Sequence, residues 1–580
     1  MRYPHLSTHE VVNQVPPLAG YDVAADPALL SGVSREGAAW AEPELHDLGL
    51  LAGTAQTQDL ARLANVNKPV LRTHDARGYR IDEVEFHPAW HQLMSTAVGH
   101  GLHAAPWSDG RPGAHVARAA KFIVWTQAES GHGCPISMTY ASIPALRHAP
   151  DLAARYEPLL ASAVYDPGLR VPEGKAGLLA GMAMTEKQGG SDVRANTTRA
   201  VPAGTVRAGT GPASTGPAST GPASTRPAGD GTYLLTGHKW FCSAPMCDLF
   251  LVLAQAQEGL TCFLLPRVLP DGSRNAMRIQ RLKDKLGNTS NASSEVEYDN
   301  AVAWPVGELG RGIATILDMV SATRLDCVLG SAAGIRQACV LAGHHARHRR
   351  AFGARLIDQP AMAAVLADLA LESEAATTLA LRLAGAADRA ARGDAAEAAL
   401  LRLALPAAKY WVCKRAPAIT AEALECLGGN GYVEESVLPR LLRDSPLNSI
   451  WEGSGNVTAL DVLRALTRSP DSADALLAEV DQAAGDPRVA AAAGRLRAEL
   501  KQAAGAGPGA QRDARRLAGV IAVTLQAALL ARHAPAAVAD AYCSSRLEGQ
   551  QAAGPGTPFG SLPDGLDLAA IVDRTAVSAR

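Results

Sequence analysis

The sequence predicts an α+β protein in which a domain of short β-strands lies between helical regions. Helical spacing of apolar residues dominates residues 1–180 and the chain after residue 305. Between these regions, short apolar runs such as L-F-L-V-L-A-Q and T-C-F-L-L-P are separated by turn residues, as in a modest β-domain. With 47% hydrophobic and 19% charged residues, the 580-residue chain has ample material for several cores.

The first region, residues 1–180, is predicted to be mainly helical, with helical spacing after Pro88 and again from Ala117. Its N-terminus lacks the apolar stretch of a secretory signal. The nine cysteines are scattered, odd in number and without a CxxC pair, which indicates reduced thiols in a cytoplasmic protein and disfavours a structural zinc. The net charge of −2 gives the whole chain no attraction for nucleic acid or membranes, so any such patch is local.

The β-domain is predicted over residues 181–305 and contains an unusual repeat. The pentapeptide G-P-A-S-T occurs three times over residues 211–225. Because these residues have no large apolar side chain, they cannot bury a core. We expect a flexible hairpin insertion at residues 205–230, without a function of its own.

Two helical regions are predicted after the β-domain. Residues 306–466 form a bundle rich in Ala and Leu, and a break at Ser469-Pro470 separates it from a helical extension, residues 467–580. The longest apolar run, residues 517–531, is shorter than a membrane span, so we expect a buried helix and no membrane partner. The end, from about residue 549, is rich in Gly and Pro and is expected to be loose.

The most informative segment is S-I-W-E-G-S-G-N, residues 449–456. A carboxylate at Glu452, behind Ile450 and Trp451, would lose solvation, and its pKa would rise as a general base near neutral pH requires. An amphipathic helix pattern follows, with Ser454 or Asn456 as its N-cap. Backbone N–H groups at that helix start can hold a phosphate or a carbonyl oxygen.

A capping box is the alternative interpretation of the same segment. Ser449 and Glu452 have the spacing in which a glutamate only satisfies a helix N-terminus. Gly453 and Gly455 argue against a helix running through that point. The segment alone leaves both interpretations open.

Two further segments suit a flat cofactor. In M-A-M-T-E-K-Q-G-G-S-D-V, residues 182–193, Thr185 and Ser191 supply hydroxyls and the Gly pair allows close backbone approach; a plain Gly-Gly turn is the alternative. In H-K-W-F-C-S-A, residues 238–244, Phe241 and Ser243 lie on one face of a strand. They could stack on and hydrogen-bond a planar ring, or form an ordinary half-buried strand.

The basic run H-H-A-R-H-R-R-A-F-G from His344 suits a pyrophosphate, although a solvated helix end is the commoner explanation. His344 and His348 have metal-ligand spacing but no carboxylate ligand nearby, so no metal is predicted. The fifth segment of interest is E-C-L-G-G-N-G-Y from Glu425.

In this order, the five segments resemble the acyl-CoA dehydrogenase family of flavoproteins, over about residues 50–466. The resemblance implies the three-domain fold of that family, an FAD cofactor and Glu452 as the catalytic base. It implies that Arg349 and Phe352 reach the FAD of a neighbouring subunit, as does the L-G-G-N-G run. The full set of implied cofactor contacts is Met182, Met184, Thr185, Gly190, Ser191, Phe241, Cys242, Ser243, Arg349, Phe352, Gly428, Gly429, Ile450, Trp451, Gly453, Ser454 and Asn456.

Some members of this family carry the base on an earlier helix, in an E-R sequence. The corresponding place here reads A-T-R-L-D, which puts Thr323 before Arg324. The resemblance therefore leaves Glu452 as the candidate base.

The resemblance is most specific to the AidB-like branch, flavoproteins of the bacterial response to DNA alkylation. The segments R-L-K-D-K-L-G-N-x-S-N-A-S, N-S-I-W-E-G-S-G-N and L-D-V-L-R resemble that branch. It implies a homotetramer built as a dimer of dimers, weak isovaleryl-CoA dehydrogenase activity, and double-stranded DNA bound by the C-terminal extension. An acyl-CoA substrate and an electron-transfer flavoprotein are further implied partners. The alternative is a metabolic acyl-CoA dehydrogenase without a DNA role.

Charge in the extension is balanced overall, with 12 basic and 12 acidic residues over 467–580. Residues 488–532 are nevertheless basic, and such a stripe can neutralise phosphates without reading bases. A solvated helix face is the alternative. The DNA-binding candidates are Arg464, Arg488, Arg495, Arg497, Lys501, Arg512, Arg515 and Arg516.

Overall fold

The computed structural model describes residues 8–205, 231–505, 509–548 and 558–577. The predicted α+β organisation is confirmed, with helical regions on either side of a sheet domain. The G-P-A-S-T repeat lies outside the described residues, so the expected hairpin insertion stays a prediction.

The N-terminal region is helical, as predicted, except for one hairpin. Strands β1 (Val70–His74) and β2 (Arg80–Glu85) pair antiparallel where only helices and loops were expected. Helix α4 begins at Pro88, with the His87 side chain accepting from the Ala89 N–H. The α-helices described in this region are α1 (Pro27–Arg35), α2 (Glu42–Ala52), α3 (Ala55–Val66), α4 (Pro88–Gly99), α5 (Ala105–Ser108), α6 (Ala114–Thr126), α7 (Gly133–Leu146) and α8 (Pro150–Leu160).

The middle domain is a seven-stranded sheet that closes on itself. Strand β6 pairs with β3, β4 and β7, and β9 pairs with β5, β7 and β8, so the strands form a continuous ring. Apart from the parallel pairs of β6 with β3 and β4, the pairing is antiparallel. The strands are β3 (Ala180–Ala183), β4 (Arg199–Pro202), β5 (Tyr233–Ser243), β6 (Leu249–Ala256), β7 (Gly259–Pro266), β8 (Met277–Leu282) and β9 (Ser293–Val306).

Three long helices form the core of the third region, where Ala and Leu at helical spacing bury continuous faces. A hairpin of two short strands, β10 (Arg350–Ala351) and β11 (Ala354–Arg355), connects the first two of these helices. The helices are α9 (Gly312–His348), α10 (Pro360–Ala391), α11 (Ala395–Glu425), α12 (Gly429–Tyr432), α13 (Leu438–Asp444) and α14 (Gly455–Arg468).

The C-terminal extension packs on the bundle. Its helices are α15 (Asp471–Asp481), α16 (Pro487–Gly505), α17 (Ala510–His533), α18 (Ala536–Leu547) and α19 (Leu568–Asp573). Helix α17 contains the apolar run predicted to be a buried helix, and it packs against α11 and α14. The break at Ser469-Pro470 is confirmed, since α14 ends at Arg468 and α15 begins at Asp471.

The expectation of a loose end is wrong for residues 558–577. Helix α19 packs on α10, and both Ile571 and Val572 are buried. The Arg574 guanidinium binds the Glu374 carboxylate at 2.5 and 2.6 Å. Apolar burial and this ion pair hold a segment whose Gly and Pro content alone favoured disorder.

Among the described residues, two helices are long and apolar enough, by length and composition, to cross a membrane. They are α9 and α17, and 83% and 72% of their most apolar windows are buried inside the protein. All nine cysteines are buried and none forms a disulfide, in agreement with the prediction of reduced thiols.

Candidate active site

A cavity of about 750 Å³ lies where the sheet domain meets helices α6, α7, α9, α11 and α14. It brings together the three segments that the sequence analysis assigned to chemistry, although they are far apart in the chain. The predicted residues that line it are Met182, Met184, Thr185, Gly190, Ser191, Phe241, Ser243, Ile450, Trp451, Glu452, Gly453 and Ser454.

Glu452 lies in a strained turn between a short 3-10 helix and α14. Its φ is +57°, a left-handed conformation that is uncommon for a residue with a side chain, and the φ of Gly453 is +105°. The Lys409 ammonium donates to the carbonyls of Trp451 (2.8 Å) and Gly453 (2.5 Å), and Arg324 Nε donates to the Glu452 carbonyl (2.9 Å). Two cations from α9 and α11 thus hold three successive carbonyls of the turn.

The Glu452 carboxylate accepts a hydrogen bond from the Thr323 hydroxyl, at 2.7 Å to Oε2. Burial raises the pKa of this carboxyl above its ordinary value, and the Thr323 hydrogen bond with the charges of Lys409 and Arg324 opposes that rise. Thr323 therefore occupies the earlier-helix position and also touches the base. A carboxyl with a raised pKa at a cavity wall suits proton abstraction near neutral pH.

The capping-box alternative is excluded by the geometry. The Ser449 hydroxyl donates to the Pro446 carbonyl (2.9 Å), and the Glu452 side chain bonds to Thr323. Of the two residues predicted as the N-cap of α14, the structure places Ser454 there, but its side chain makes no capping hydrogen bond.

Strand β5 forms one wall of the cavity. Phe241 is 51% exposed and Ser243 is half-buried, so an aromatic ring and a hydroxyl share the cavity face as predicted. Cys242 is fully buried on the opposite face, and its side chain does not line the cavity. Its assignment as a cofactor contact is thus wrong for the side chain, because successive residues of a strand point to opposite faces.

A buried ion pair stabilises the turn at residues 185–191. The Glu186 carboxylate binds the Lys239 ammonium at 2.8 Å and also accepts from Thr197 and Thr198. Trp240 N–H donates to the Thr185 carbonyl at 2.8 Å, which ties the turn to β5. A Cβ at Gly190 would come within 2.4 Å of the Thr185 hydroxyl, so only glycine fits here without a shift.

Asn456 does not line the cavity. It is exposed near the start of α14, and its Oδ1 accepts from Arg515 Nε at 2.7 Å. The helix turns this side chain toward α17, so the prediction of a cofactor contact is not supported by its position.

Four predicted cofactor residues lie on the surface away from the cavity: Arg349, Phe352, Gly428 and Gly429. Phe352 is 98% exposed, and Arg349 donates to the Asn13 carbonyl at 2.5 Å. The resemblance assigns these residues to a neighbouring subunit, and that role stays a prediction.

Within the described ranges, no group of three or more His, Cys, Asp or Glu residues could hold a metal ion. His344 Nε2 instead bonds to the Pro16 carbonyl, and His348 Nδ1 bonds to the His344 carbonyl.

The mouth of the cavity carries an arginine cluster that the sequence analysis did not identify as a unit. Asp461 binds Arg324 (2.7 Å) and Arg402 (3.0 Å), and Arg464 lies 4.0 Å away. The exposed Arg468 also lines the mouth. One carboxylate among four guanidinium groups leaves this region positive. Arg324 directly follows the Thr323 position discussed above, whereas Arg402 has no local sequence signal.

Most of the predicted DNA-binding residues have partners within the protein. Carboxylates bind Arg488, Arg497 and Arg516, while Arg515 bonds to Asn456 and Arg495 to the Leu547 carbonyl. Among the described residues, Lys501 on α16 and Arg512 on α17 are exposed cations without such a partner. The basic stripe is therefore partly neutralised.

Comparisons with known proteins agree with this architecture. A family model described as the adaptive response protein AidB N-terminal domain matches residues 13–167. Models of the acyl-CoA dehydrogenase middle and C-terminal domains match residues 208–301 and 310–467. The Escherichia coli K12 protein AidB, assigned to the acyl-CoA dehydrogenases, is 49% identical over 81% of this chain and 83% of its own length.

This chain is an AidB-like member of the acyl-CoA dehydrogenase family. Acyl-CoA dehydrogenase family member 11 of Caenorhabditis elegans is 30% identical over 75% of this chain and 68% of its own length. A solved structure of Caenorhabditis elegans ACDH-11, in complex with C11-CoA, has a TM-score of 0.81 and 26% identity over 95% of this chain and 96% of that one. The predicted acyl-CoA dehydrogenase fold is confirmed.

Acyl-CoA dehydrogenases are FAD-dependent oxidoreductases, and FAD is the cofactor of this family member. The cavity fits a flavin ring: Phe241 offers an aromatic face beside the Ser243 hydroxyl. The hydroxyls of Thr185 and Ser191, on the turn bonded to β5, also line the cavity and, within the described residues, have no hydrogen-bond partner of their own. These four side chains would hold the flavin.

Proposed function

We propose that this protein is an FAD-dependent acyl-CoA dehydrogenase-type enzyme in which Glu452 takes the α-proton of an acyl thioester. We propose further that it acts in the response to DNA alkylation and binds double-stranded DNA through its C-terminal extension. The observation that carries the enzymatic part is the Glu452 carboxyl, which lies at the cavity wall with a raised pKa and one oxygen held by Thr323.

FAD, when bound, supplies the acceptor for a hydride from Cβ of the substrate. Thr323 holds Oε2 of Glu452, and within the described residues Oε1 makes no hydrogen bond, so Oε1 is free to accept the α-proton. The cations on the carbonyls of the turn fix the direction of the carboxylate before substrate arrives. The Glu452 N–H can polarise the thioester carbonyl as the charge on its oxygen develops.

The acyl chain is proposed to lie along the apolar side of the cavity that α9 supplies. Ile313, Ile316, Leu317 and Val320 line this side. The C11-CoA complex of ACDH-11 supports an acyl-CoA as ligand. At the site, the Trp451 indole donates to Asn448 Oδ1 at 3.0 Å and lines the cavity. From the family resemblance, we expect only weak activity with a short branched substrate such as isovaleryl-CoA.

We propose a cytoplasmic homotetramer, a dimer of dimers, that passes electrons to an electron-transfer flavoprotein. Phe352 and Tyr432, which are 98% and 78% exposed, lie in the two segments that the family resemblance assigns to subunit contacts, and their exposure supports such contacts. The nine unpaired cysteines support a reducing compartment.

DNA binding is proposed to use α16 and α17 together with the arginines at the cavity mouth. Among the described residues, Lys501 and Arg512 are the exposed cations of the two helices that have no partner within the protein, and Arg464 lies at the mouth of the cavity. Similarity to the adaptive response protein AidB supports this role. Contacts of this kind neutralise phosphates without reading bases, so binding should be salt-sensitive and independent of sequence.

The enzymatic proposal is tested by anaerobic reduction of the bound flavin with isovaleryl-CoA. Glu452→Gln is expected to slow reduction by about 10²- to 10⁴-fold, because it removes the proton acceptor. Glu308→Gln, an exposed carboxylate with an 82% accessible side chain, is the control and should reduce like the wild type. Equal reduction by the wild type and Glu452→Gln would show that Glu452 is not the base.

The DNA-binding proposal is tested by titrating the protein onto duplex DNA at several salt concentrations. We expect affinity at low salt that falls steeply as salt is raised. Absence of binding at low salt, with flavin reduction intact, would favour the alternative of a metabolic acyl-CoA dehydrogenase without a DNA role.

A further inference from the structure

A polar chain leads from a lysine to the cavity wall of the sheet domain. The Lys285 ammonium donates to the Asn291 carbonyl (2.7 Å) and to the Ser293 hydroxyl (3.2 Å). The Ser293 and Ser243 hydroxyl oxygens lie 3.3 Å apart. These two serines are directly opposite each other in strands β9 and β5, so the chain Lys285–Ser293–Ser243 is fixed by the sheet.

The lysine sets the direction of this chain. An ammonium group can only donate, so Ser293 accepts from Lys285 and keeps its own hydrogen. Either serine can donate in the 3.3 Å contact, and the cation on Ser293 makes that hydroxyl the stronger donor to Ser243. In this direction the Ser243 hydrogen is left for the cavity or for the neighbouring Cys134 sulfur. Since Ser243 lines the cavity, that hydrogen is available to a ligand there.

Lys285 is a partly buried cation that forms no salt bridge among the described residues, and the carboxylates of Asp444 and Glu129 attract it from a longer distance. Burial lowers the pKa of Lys285 to about 8, so it is mostly charged at neutral pH. The neighbouring Cys134 thiol stays neutral, because burial raises its pKa to about 11. A buried cation without a carboxylate beside it is costly unless something else compensates for the lost solvation.

We propose that Lys285 is a positioning residue for the flavin: through Ser293 it orients the Ser243 hydroxyl as a hydrogen-bond donor to the ring and places positive charge behind it. The proposal rests on the flavin position given above. A hydrogen-bond donor and a nearby positive charge would favour the electron-rich reduced form of a flavin bound there. Lys285 lies in the segment R-L-K-D-K-L-G-N, to which the family resemblance assigned no function. The proposal gives this segment a function.

The test measures the equilibrium between reduced and oxidised flavin against a reference dye in the purified FAD-containing protein. Lys285→Met is expected to lower the ratio of reduced to oxidised flavin about tenfold or more. Ser293→Ala, which keeps the charge but interrupts the chain, should lower the ratio severalfold. Lys285→Arg should restore most of the wild-type ratio, because a guanidinium is also a charged donor.

The matched control is Arg281→Met, which removes an exposed cation paired with Glu295 from strand β8. Its ratio should stay within twofold of the wild type. FAD content and thermal stability are measured for every variant, and Ser293→Ala and Lys285→Arg decide the question if Lys285→Met does not fold.

The outcomes separate this proposal from the flavin position on which it rests. If Ser243→Ala changes the ratio but Lys285→Met and Ser293→Ala do not, the lysine chain is refuted and the flavin position stands. If Ser243→Ala also leaves the ratio and the FAD content unchanged, the flavin does not contact Ser243 and its proposed position is itself wrong.

Discussion

Two regions of this molecule use basic residues in opposite ways. At the turn that presents Glu452, Lys409 is 1% exposed and Arg324 is 9% exposed, and both donate to backbone carbonyls. On α16 and α17, Arg497 and Arg516 have side chains that are more than half exposed and pair with carboxylates. Buried cations are screened little by salt and act as fixed parts of the structure, whereas exposed cations are screened and exchange partners. The turn is therefore a prebuilt site, and the helix pair is an adjustable surface.

The strongest test of the prebuilt turn is Lys409→Met. It leaves the carbonyls of Trp451 and Gly453 without their donor, at a cost of about 1–3 kcal/mol each in the free energy of unfolding. Because the turn then relaxes, flavin reduction by acyl-CoA should slow by roughly 10²-fold. Stopped-flow absorbance and thermal denaturation measure the two effects. Lys414→Met, at an exposed position on the same helix, is the control. An unchanged rate of flavin reduction would show that the hydrogen bonds from Lys409 are not needed to hold the turn.

The adjustable surface is tested by the double substitution Lys501→Ala and Arg512→Ala. Removing two phosphate contacts should weaken duplex binding roughly tenfold at low salt and reduce the slope of log affinity against log salt by about 2. Fluorescence anisotropy at several salt concentrations measures both quantities. Arg62→Ala, an exposed arginine on α3, serves as the control. A slope equal to the wild type would place the DNA elsewhere.

The contact between Thr323 and Glu452 predicts a shift in pH dependence. The Thr323 hydroxyl donates to the ionised carboxylate and lowers its pKa against the effect of burial. Thr323→Val should therefore raise the pKa further, and the rate of flavin reduction, which needs the ionised form, should start to fall at a higher pH as the solution is acidified. The decrease in rate should be confined to the acid side of the pH profile, while rates at high pH stay close to the wild type. An identical pH profile would rule out this hydrogen bond in the working enzyme.

The smallest expected effect comes from freeing one paired arginine. Asp481→Asn removes the carboxylate that Arg497 binds at 2.8 Å. Because the guanidinium then has no competing partner, duplex affinity should rise about two- to threefold at low salt, with flavin reduction unchanged. A decrease in affinity would mean that the pair holds Arg497 in the binding position instead of competing with DNA.

Those parts of the site that lie within short sequence segments could be predicted from the sequence. Glu452, Thr185, Ser191 and the cavity face of β5 were each predicted from neighbours within a few residues, and the cavity brings them together. Lys409 was not predicted, because its role depends on carbonyls about forty residues away and an isolated lysine in a helix pattern has no distinguishing signal. Cys242 was assigned to the cofactor along with its neighbours, although strand alternation already placed it on the other face.

The fold was predicted at the level of its regions, and the misses have identifiable causes. The β1–β2 hairpin was missed because its strands, V-L-R-T-H and R-I-D-E-V-E, are rich in charged residues and lack apolar alternation. Residues 558–577 were expected to be loose because their composition is that of a linker. Their order comes from long-range contacts with α10, which no local pattern records.

The way the chain ends determines how its parts can be studied. Gly560 N–H donates to Asp368, and Arg546 binds Glu372 and Asp368, so the last helices neutralise carboxylates that are buried in the bundle. A truncated protein would lose Arg546, so Asp368 would have no cation and Glu372 would keep only Arg415. It would be destabilised in α10, which packs against the two helices that present Thr323 and Lys409. The extension is thus not a detachable module. Loss of flavin chemistry in a deletion variant would say nothing about the proposed DNA binding, and the two proposed roles can be separated only by point substitutions on the surface.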